Sequence, residues 1–201
     1  MTSSWECEQN EDGDMKKKGR IWYKLRGMLI APVYLFSFFN TFRESENWEI
    51  KALGLLIFLI GIMLRVWSQM HIHYRLREPR TLTTTGPYVY VRNPIYIGNT
   101  LILTGTTLIS ELVWLAPIMI MACIVTYSLV VRYEESHLTE KYGTPYLEYL
   151  KRVPRWLPTS VWHTSADKHR DWRFLLPSIR AEAYIFLLLI LPILKDLLWH
   201  S

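Results

Sequence analysis

The sequence predicts an all-α, polytopic membrane protein, with about five transmembrane helices and a cytoplasmic helical extension. Three observations carry this. Half of the 201 residues are hydrophobic and 20% are charged, and the two kinds are segregated into blocks. The apolar blocks approach or exceed the roughly 20 residues that a helix needs to cross a bilayer. With 9 Trp and 12 Tyr, the chain is also rich in the aromatic residues that favour the membrane–water interface. A soluble helical protein with an unusually apolar core is the alternative, and the length of the runs disfavours it.

The net charge of +5 would point to nucleic acid in a soluble protein, but here the basic residues sit beside apolar blocks, where they orient helices. Lys and Arg number six in residues 1–26, four in 74–93 and nine in 132–180, with little on the other side beyond Arg43 and Lys51. Those three segments alternate correctly to share one side, which the positive-inside rule makes cytoplasmic. The two cysteines, Cys7 and Cys123, offer neither a disulfide framework nor metal-ligand spacing, and read as free thiols.

Residues 1–22 form a polar tail, acidic and then basic. No small-residue cleavage site follows the next apolar block, so a disordered tail is expected and not a signal peptide. Residues 23–73 carry the first two spans, about Tyr23 to Phe42, with Pro32 as a kink, and about Trp48 to Met70. Gly54 and Gly61 in the second would let a neighbouring helix approach closely. Arg65, near its far end, is expected to snorkel to the interface. His71 and His73 stand two apart and so diverge on a helix, unlike the i, i+4 pair of helical zinc sites; no metal is expected.

Residues 74–160 form the core. From Ile95 to Val131 the chain is apolar for some 37 residues, about 55 Å as one helix against a hydrocarbon core of roughly 30 Å. It must fold back, and Ser110-Glu111 is the expected tip, between arms at about 95–109 and 112–131. Residues 132–160 then read as a soluble pair of helices. Gly143 would end the first, Thr144 would cap the second and Pro145 would open it. Leu138, Tyr142, Tyr146, Tyr149 and Leu150 give the pair an apolar-aromatic side. Residues 161–201 combine an interfacial connector with a final apolar run, about Ala183 to Trp199, barely long enough to span.

The chemistry concentrates in Thr84 to Gly98, TTGPYVYVRNPIYIG, which is rigid, aromatic and carries Arg92. Arg92 and Asn93 open one hairpin arm, and Arg132, Glu134 and Glu135 close the other. Antiparallel packing should therefore bring these groups together. A purely structural ion cluster at the hairpin mouth is the plain reading. Two adjacent carboxylates strain it, because side by side they need more than one cation.

These residues carry a resemblance. GPYxxxRNPxYxG at 86–98, EExxL at 134–138 and YGxxYxxYxxxVPR at 142–155 resemble the isoprenylcysteine carboxyl methyltransferase family and its relatives, the phospholipid methyltransferases. The matching region, about 84–158, is under two-fifths of the chain. The resemblance implies an integral membrane enzyme that takes S-adenosylmethionine from the cytosol and a lipid-like acceptor from the bilayer, with O-methyl transfer favoured over N- or S-methyl transfer. It implies Tyr88, Arg92, Asn93, Tyr96 and Gly98 as cofactor-binding residues. Arg92 would meet the cofactor's carboxylate, the tyrosines (Tyr90 among them) would pack on adenine, and Gly98 would allow close backbone approach. Glu134, Glu135 and Arg132 are the catalytic candidates, a glutamate facing the sulfonium and, if the nucleophile is an amine or thiol, taking its proton.

The chain departs from the family pattern at two places. Asn93 stands where members often have His. Val130 stands where the prenylcysteine enzymes typically have an arginine, one turn before the first glutamate; Arg132 lies on another side of the helix and suits phospholipid headgroups. Two other classes compete. An NADPH-dependent sterol-reductase-like enzyme would suit KYGTPYLEYLKRVP, and a non-enzymatic membrane scaffold would keep the polar cluster as structure. The partners implied by the leading reading are a hydrophobic acceptor and the bilayer, with no nucleic acid and no metal.

Overall fold

The computed structural model describes residues 35, 47–76, 82–158 and 172–186. The polar tail, the expected first span apart from residue 35, the connector up to residue 171 and most of the last apolar run lie outside the described residues. Within them the protein is all-helical, with five α-helices: α1 (Trp48–Leu76), α2 (Pro94–Ile109), α3 (Leu115–Tyr142), α4 (Thr144–Arg152) and α5 (Leu175–Glu182). Short 3-10 turns cover Gly86–Val89, Trp172–Phe174 and Ala183–Phe186.

Helices α1 and α3 are long and apolar enough to cross a membrane, and α2 is a shorter apolar helix. Leu53, Leu56, Ile60 and Met63 on α1 and Met121, Ile124 and Val125 on α3 are exposed. Apolar rows of that size would associate in water, and they suit the surface of a membrane protein.

Helix α1 starts at Asn47, whose Oδ1 accepts from the amides of Glu49 (3.0 Å) and Ile50 (3.4 Å), a standard N-cap. It runs to Leu76, six residues beyond the expected end at Met70, because no Gly or Pro interrupts 62–76. Helix α2 opens on Pro94 in its first turn, where a missing N–H costs nothing. The hydroxyls of Thr100, Thr106, Thr107 and Ser110 each donate to the carbonyl four residues back, which satisfies them without water.

The chain turns between α2 and α3 at Ser110-Glu111. Glu111 has φ +61, a left-handed conformation that costs a non-glycine residue roughly 1–2 kcal/mol. Its buried carboxylate offsets this by accepting from the Asn47 amide (3.2 Å) and facing Lys51 Nζ (3.5 Å), which ties the hairpin tip to the start of α1.

Helix α3 does not stop at 131. It continues unbroken to Tyr142, so the second hairpin arm and the first extension helix are one element. At 1.5 Å per residue its 28 residues make about 42 Å, about two turns longer than a hydrocarbon core of roughly 30 Å. Gly143 closes it at φ +62 with its amide on Thr139 O (2.9 Å); a Cβ there would meet nothing, so the backbone angle alone selects glycine. Gly143, not Thr144, is also the N-cap of α4. Tyr146, Tyr149 and Val153 then pack with Leu82, Leu138, Tyr142 and Leu150.

The closest helix contact is α1 on α2, where both carry glycines. A Cβ on Gly54 would lie 2.9 Å from Gly105 O, and one on Gly61 would lie 2.8 Å from Gly98 O. Such contacts let two backbones touch along their length.

Candidate functional site

The candidate site lies where the turn before α2 meets the projecting end of α3. The Gly86–Val89 turn sets its floor. Gly86 adopts φ +61 directly over the His71 ring, where a Cβ would fall 2.2 Å from Nε2. His71 Nδ1 is bonded to Thr85 Oγ1 (3.1 Å), and its ring meets Trp67 edge-on. His71 thus anchors the turn to α1. Among the described residues no group of three His, Cys, Asp or Glu is placed to hold a metal ion.

Hairpin packing brings the expected partners together. Arg92 Nη1 lies 3.0 Å from Glu135 Oε1, and the Tyr96 hydroxyl donates to Glu134 Oε1 at 2.7 Å. The two adjacent carboxylates on α3 therefore have different environments. Glu135 meets Arg92, and Glu134 accepts from a phenol on α2. The Tyr96 ring stacks on Tyr127 (centroids 4.7 Å apart) within a cluster that includes Val130, Val131, Met119 and Cys123.

The second cation that two carboxylates need is Arg155. Its Nη2 pairs with Glu135 Oε2 and its Nε donates to Glu135 Oε1 at 3.2 Å. Helix α4 and the segment after it are strapped over the site at three further points. Pro154 O accepts from the Arg92 amide (2.9 Å), Trp156 packs on the Tyr96–Tyr127 cluster, and the Tyr149 hydroxyl donates to Tyr88 O (2.8 Å). Sequence reasoning did not single out Arg155 as a site residue. The signal was present in VPR at 153–155, following a pair of carboxylates with too few cations.

Two buried donors are left over. Arg92 Nε and Asn93 Nδ2 are enclosed and have no hydrogen-bond acceptor. Asn93 stands at the N-cap of α2 but makes no side-chain cap bond there. An unsatisfied buried donor costs about 1–3 kcal/mol, so a pair of them beside a charged cluster marks a place for an acceptor from outside the chain.

The other expected site residues are distributed differently. Tyr88 is buried, and burial pushes its hydroxyl far above the usual phenol range; Tyr149 and Glu134 add to the rise and Arg65 opposes it. Burial likewise raises Tyr146 and Tyr149. Tyr90 is exposed against Trp67. Gly98 faces α1, where a Cβ would lie 2.7 Å from Arg65 Cγ, so it serves helix contact. Arg132 is exposed and outside the cluster, and Val130 is fully buried among apolar side chains. Arg65 does not snorkel. It is buried and paired with Glu182 on α5.

Among the described residues the fold is all-helical, with two helices long and apolar enough to cross a membrane and a carboxylate–arginine cluster at one mouth of a helical hairpin. The family model for phospholipid methyltransferase matches residues 50–145, a little under half of the chain. A curated relative, "Protein-S-isoprenylcysteine O-methyltransferase B" of Arabidopsis thaliana, is 30% identical over 122 residues, which cover 57% of this chain and 62% of that protein. The match thus spans under two thirds of the relative's length. No solved structure matches the chain. Both matches are to methyltransferases of the kind that the chain's motifs resemble.

Proposed function

We propose that the protein is an S-adenosylmethionine-dependent methyltransferase acting on a membrane-partitioned small molecule or lipid, with its site on the cytoplasmic face. The observation that carries this reading is the pair of enclosed, unsatisfied donors, Arg92 Nε and Asn93 Nδ2, beside the Glu134–Glu135 carboxylates. S-adenosylmethionine presents both complements, a carboxylate for the donors and cationic groups for the carboxylates. When bound it supplies an electrophilic methyl group on a sulfonium.

The chain's own residues then have distinct roles. Arg92 and Asn93 would hold the anionic end. Arg155 and Arg92 together fix Glu135, so that this carboxylate is an anchor. Glu134, held by the Tyr96 hydroxyl, would face the cationic centre; it would take a proton only from an amine or thiol acceptor, since a carboxylate acceptor brings none. Tyr88 lines the floor. The 153–156 strap excludes water, which matters because methyl transfer is an in-line displacement that depends on alignment more than on strong acid–base help. The named relative is an O-methyltransferase, and a carboxyl oxygen is the favoured acceptor atom. The exposed Arg132 suits a phospholipid headgroup at the membrane surface.

The direct test is incubation of the purified protein, in bilayer discs, with methyl-labelled S-adenosylmethionine and a panel of lipid and prenyl-thiol acceptors. Label entering an organic-extractable product, and lost in Arg92→Ala, is the expected result. No transfer to any acceptor, together with stabilisation by NADPH, would favour the reductase class instead.

A further inference from the structure

Aromatic residues mark the depth of this protein in the membrane. Trp48 and Trp67 on α1 are exposed and stand nineteen residues apart, about 28 Å along a helix, close to the roughly 30 Å of a hydrocarbon core. Trp114, at the N-cap of α3, and Tyr133 within that helix have the same spacing. The hairpin tip ties Glu111 to Asn47, so Trp48 and Trp114 share one level. Trp67 meets Tyr90 in the turn before α2, and Tyr133 adjoins Glu134, so the other pair lies beside the candidate site. Tryptophan and tyrosine at both ends of a span mark the two membrane–water interfaces.

Beyond Tyr133, α3 climbs to Gly143 and α4 comes back down along it. Leu138 and Tyr142 pack with Tyr146, Tyr149 and Leu150, and further on Arg155 reaches Glu135. Trp156 then packs on the cluster of Tyr96 with α3 residues that run from Met119 to Val131. All of those α3 residues precede Tyr133, so the strap re-enters the apolar zone at Trp156. The next residue, Leu157, is 77% exposed. A single exposed leucine is ordinary on a surface in water, and depth is what sets this one apart. Lys151 and Arg152 in the last turn of α4, and Arg132 beside Tyr133, are exposed close by, an arrangement of apolar and basic groups that suits a lipid surface.

We infer that Leu157 is inserted among the acyl chains of the leaflet on the site's side, and that the bilayer thereby holds the strap over the site. The same strap brings Arg155 to Glu135 and Pro154 O to the Arg92 amide, so losing the lipid contact loosens both. The insertion stands on geometry alone, whereas its effect on donor binding rests on the methyltransferase reading above.

A nitroxide label at Leu157→Cys, on the full chain in bilayer discs, tests the insertion. Leu147→Cys, exposed near the start of α4, is the comparison; both are made with Cys7→Ser, and Cys123 is buried. Oxygen, which partitions into lipid, should relax the label at 157 more strongly than a water-soluble nickel chelate, and the order should reverse at 147. Stronger relaxation by nickel at 157, or shielding from both agents by the rest of the chain, overturns the insertion. For the coupling, Leu157→Asp should weaken S-adenosylhomocysteine binding in discs by about tenfold, Leu157→Met should restore it, and Leu147→Asp should leave it unmoved. Wild-type affinity in Leu157→Asp removes the strap-holding role. Should Leu157→Asp fail to fold, Leu157→Ser decides in the same titration. A wild-type protein that binds no S-adenosylhomocysteine overturns the methyl-donor reading and the coupling with it, while the label still decides the insertion.

Discussion

Helix α2 has two faces that are built on opposite principles. Toward α1 it presents Gly98 and Gly105, and the facing residues are Gly54 and Gly61, so backbone lies on backbone. Toward α3 it presents Tyr96 and Leu103, which meet Tyr127, Met119 and Cys123. The glycine face allows no adjustment, since every atom that a side chain would displace is backbone or an adjacent core residue. The aromatic face holds its partner further off and ends in polar groups, the Tyr96 hydroxyl and the Glu134 carboxylate. One helix thus serves as a rigid mount on one side and as a site wall on the other. Positioning a charged group is easier when the element bearing it is fixed from behind.

The largest effect should come from the wall. Glu134→Gln keeps the shape and the bond from Tyr96 but removes the charge; methyl transfer from labelled cofactor should fall by about 100-fold or more, with thermal stability in micelles nearly unchanged. Retention of full activity would remove Glu134 from the chemistry. The mount should fail differently. In Gly105→Ala a Cβ would lie 2.6 Å from Gly54 O, and overpacking of this kind costs about 1–3 kcal/mol. Denaturant melts in micelles should show that loss, and an unchanged midpoint would mean that α1 and α2 are not in backbone contact.

A smaller effect follows from the tyrosines beside the wall. Burial raises the hydroxyls of Tyr88, Tyr146 and Tyr149 above the ordinary phenol value of about 10. The folded state therefore holds these protons more tightly than the unfolded state. Their contribution to stability is complete below about pH 10 and is lost as pH rises beyond it. Melting measured from pH 8 to 11 should be flat and then fall, and phenolate absorbance from these residues should appear only with unfolding. The smallest effect is expected at Arg132. Exposed and outside the cluster, Arg132→Ala should change stability by less than about 0.5 kcal/mol and leave cofactor affinity unaltered, even if it weakens use of a phospholipid acceptor.

The same contrast explains what could be read from the sequence. The rigid mount was legible in part, because Gly54 and Gly61 in an apolar run have few uses other than close helix contact. Their partners were not, because glycine admits a ligand and a helix equally well, and nothing local to Gly98 or Gly105 marks a helix contact. The meeting of Arg92 with Glu135 followed from hairpin geometry and basic-residue counting. The continuity of α3 past 131 did not. The change from apolar to charged residues marks where a helix leaves an apolar environment, and it carries no instruction to end the helix. Arg155 and Glu182 were missed for a common reason. Each reaches its partner across elements that no local pattern brings together, Arg155 by way of the Pro154–Arg92 backbone bond and Glu182 by way of the α5–α1 contact.

The central claim is that the cluster at the hairpin mouth holds a methyl donor, and ligand-dependent stability tests it most directly. A ligand that binds only the native state raises the melting temperature by mass action, with about 2.7 kcal/mol gained at 100 times its dissociation constant. S-adenosylhomocysteine should stabilise the wild-type protein in proportion to its concentration and should fail to stabilise Arg92→Ala, while NADPH should do nothing. Stabilisation by NADPH alone, or equal stabilisation of the wild type and Arg92→Ala by S-adenosylhomocysteine, would contradict the claim.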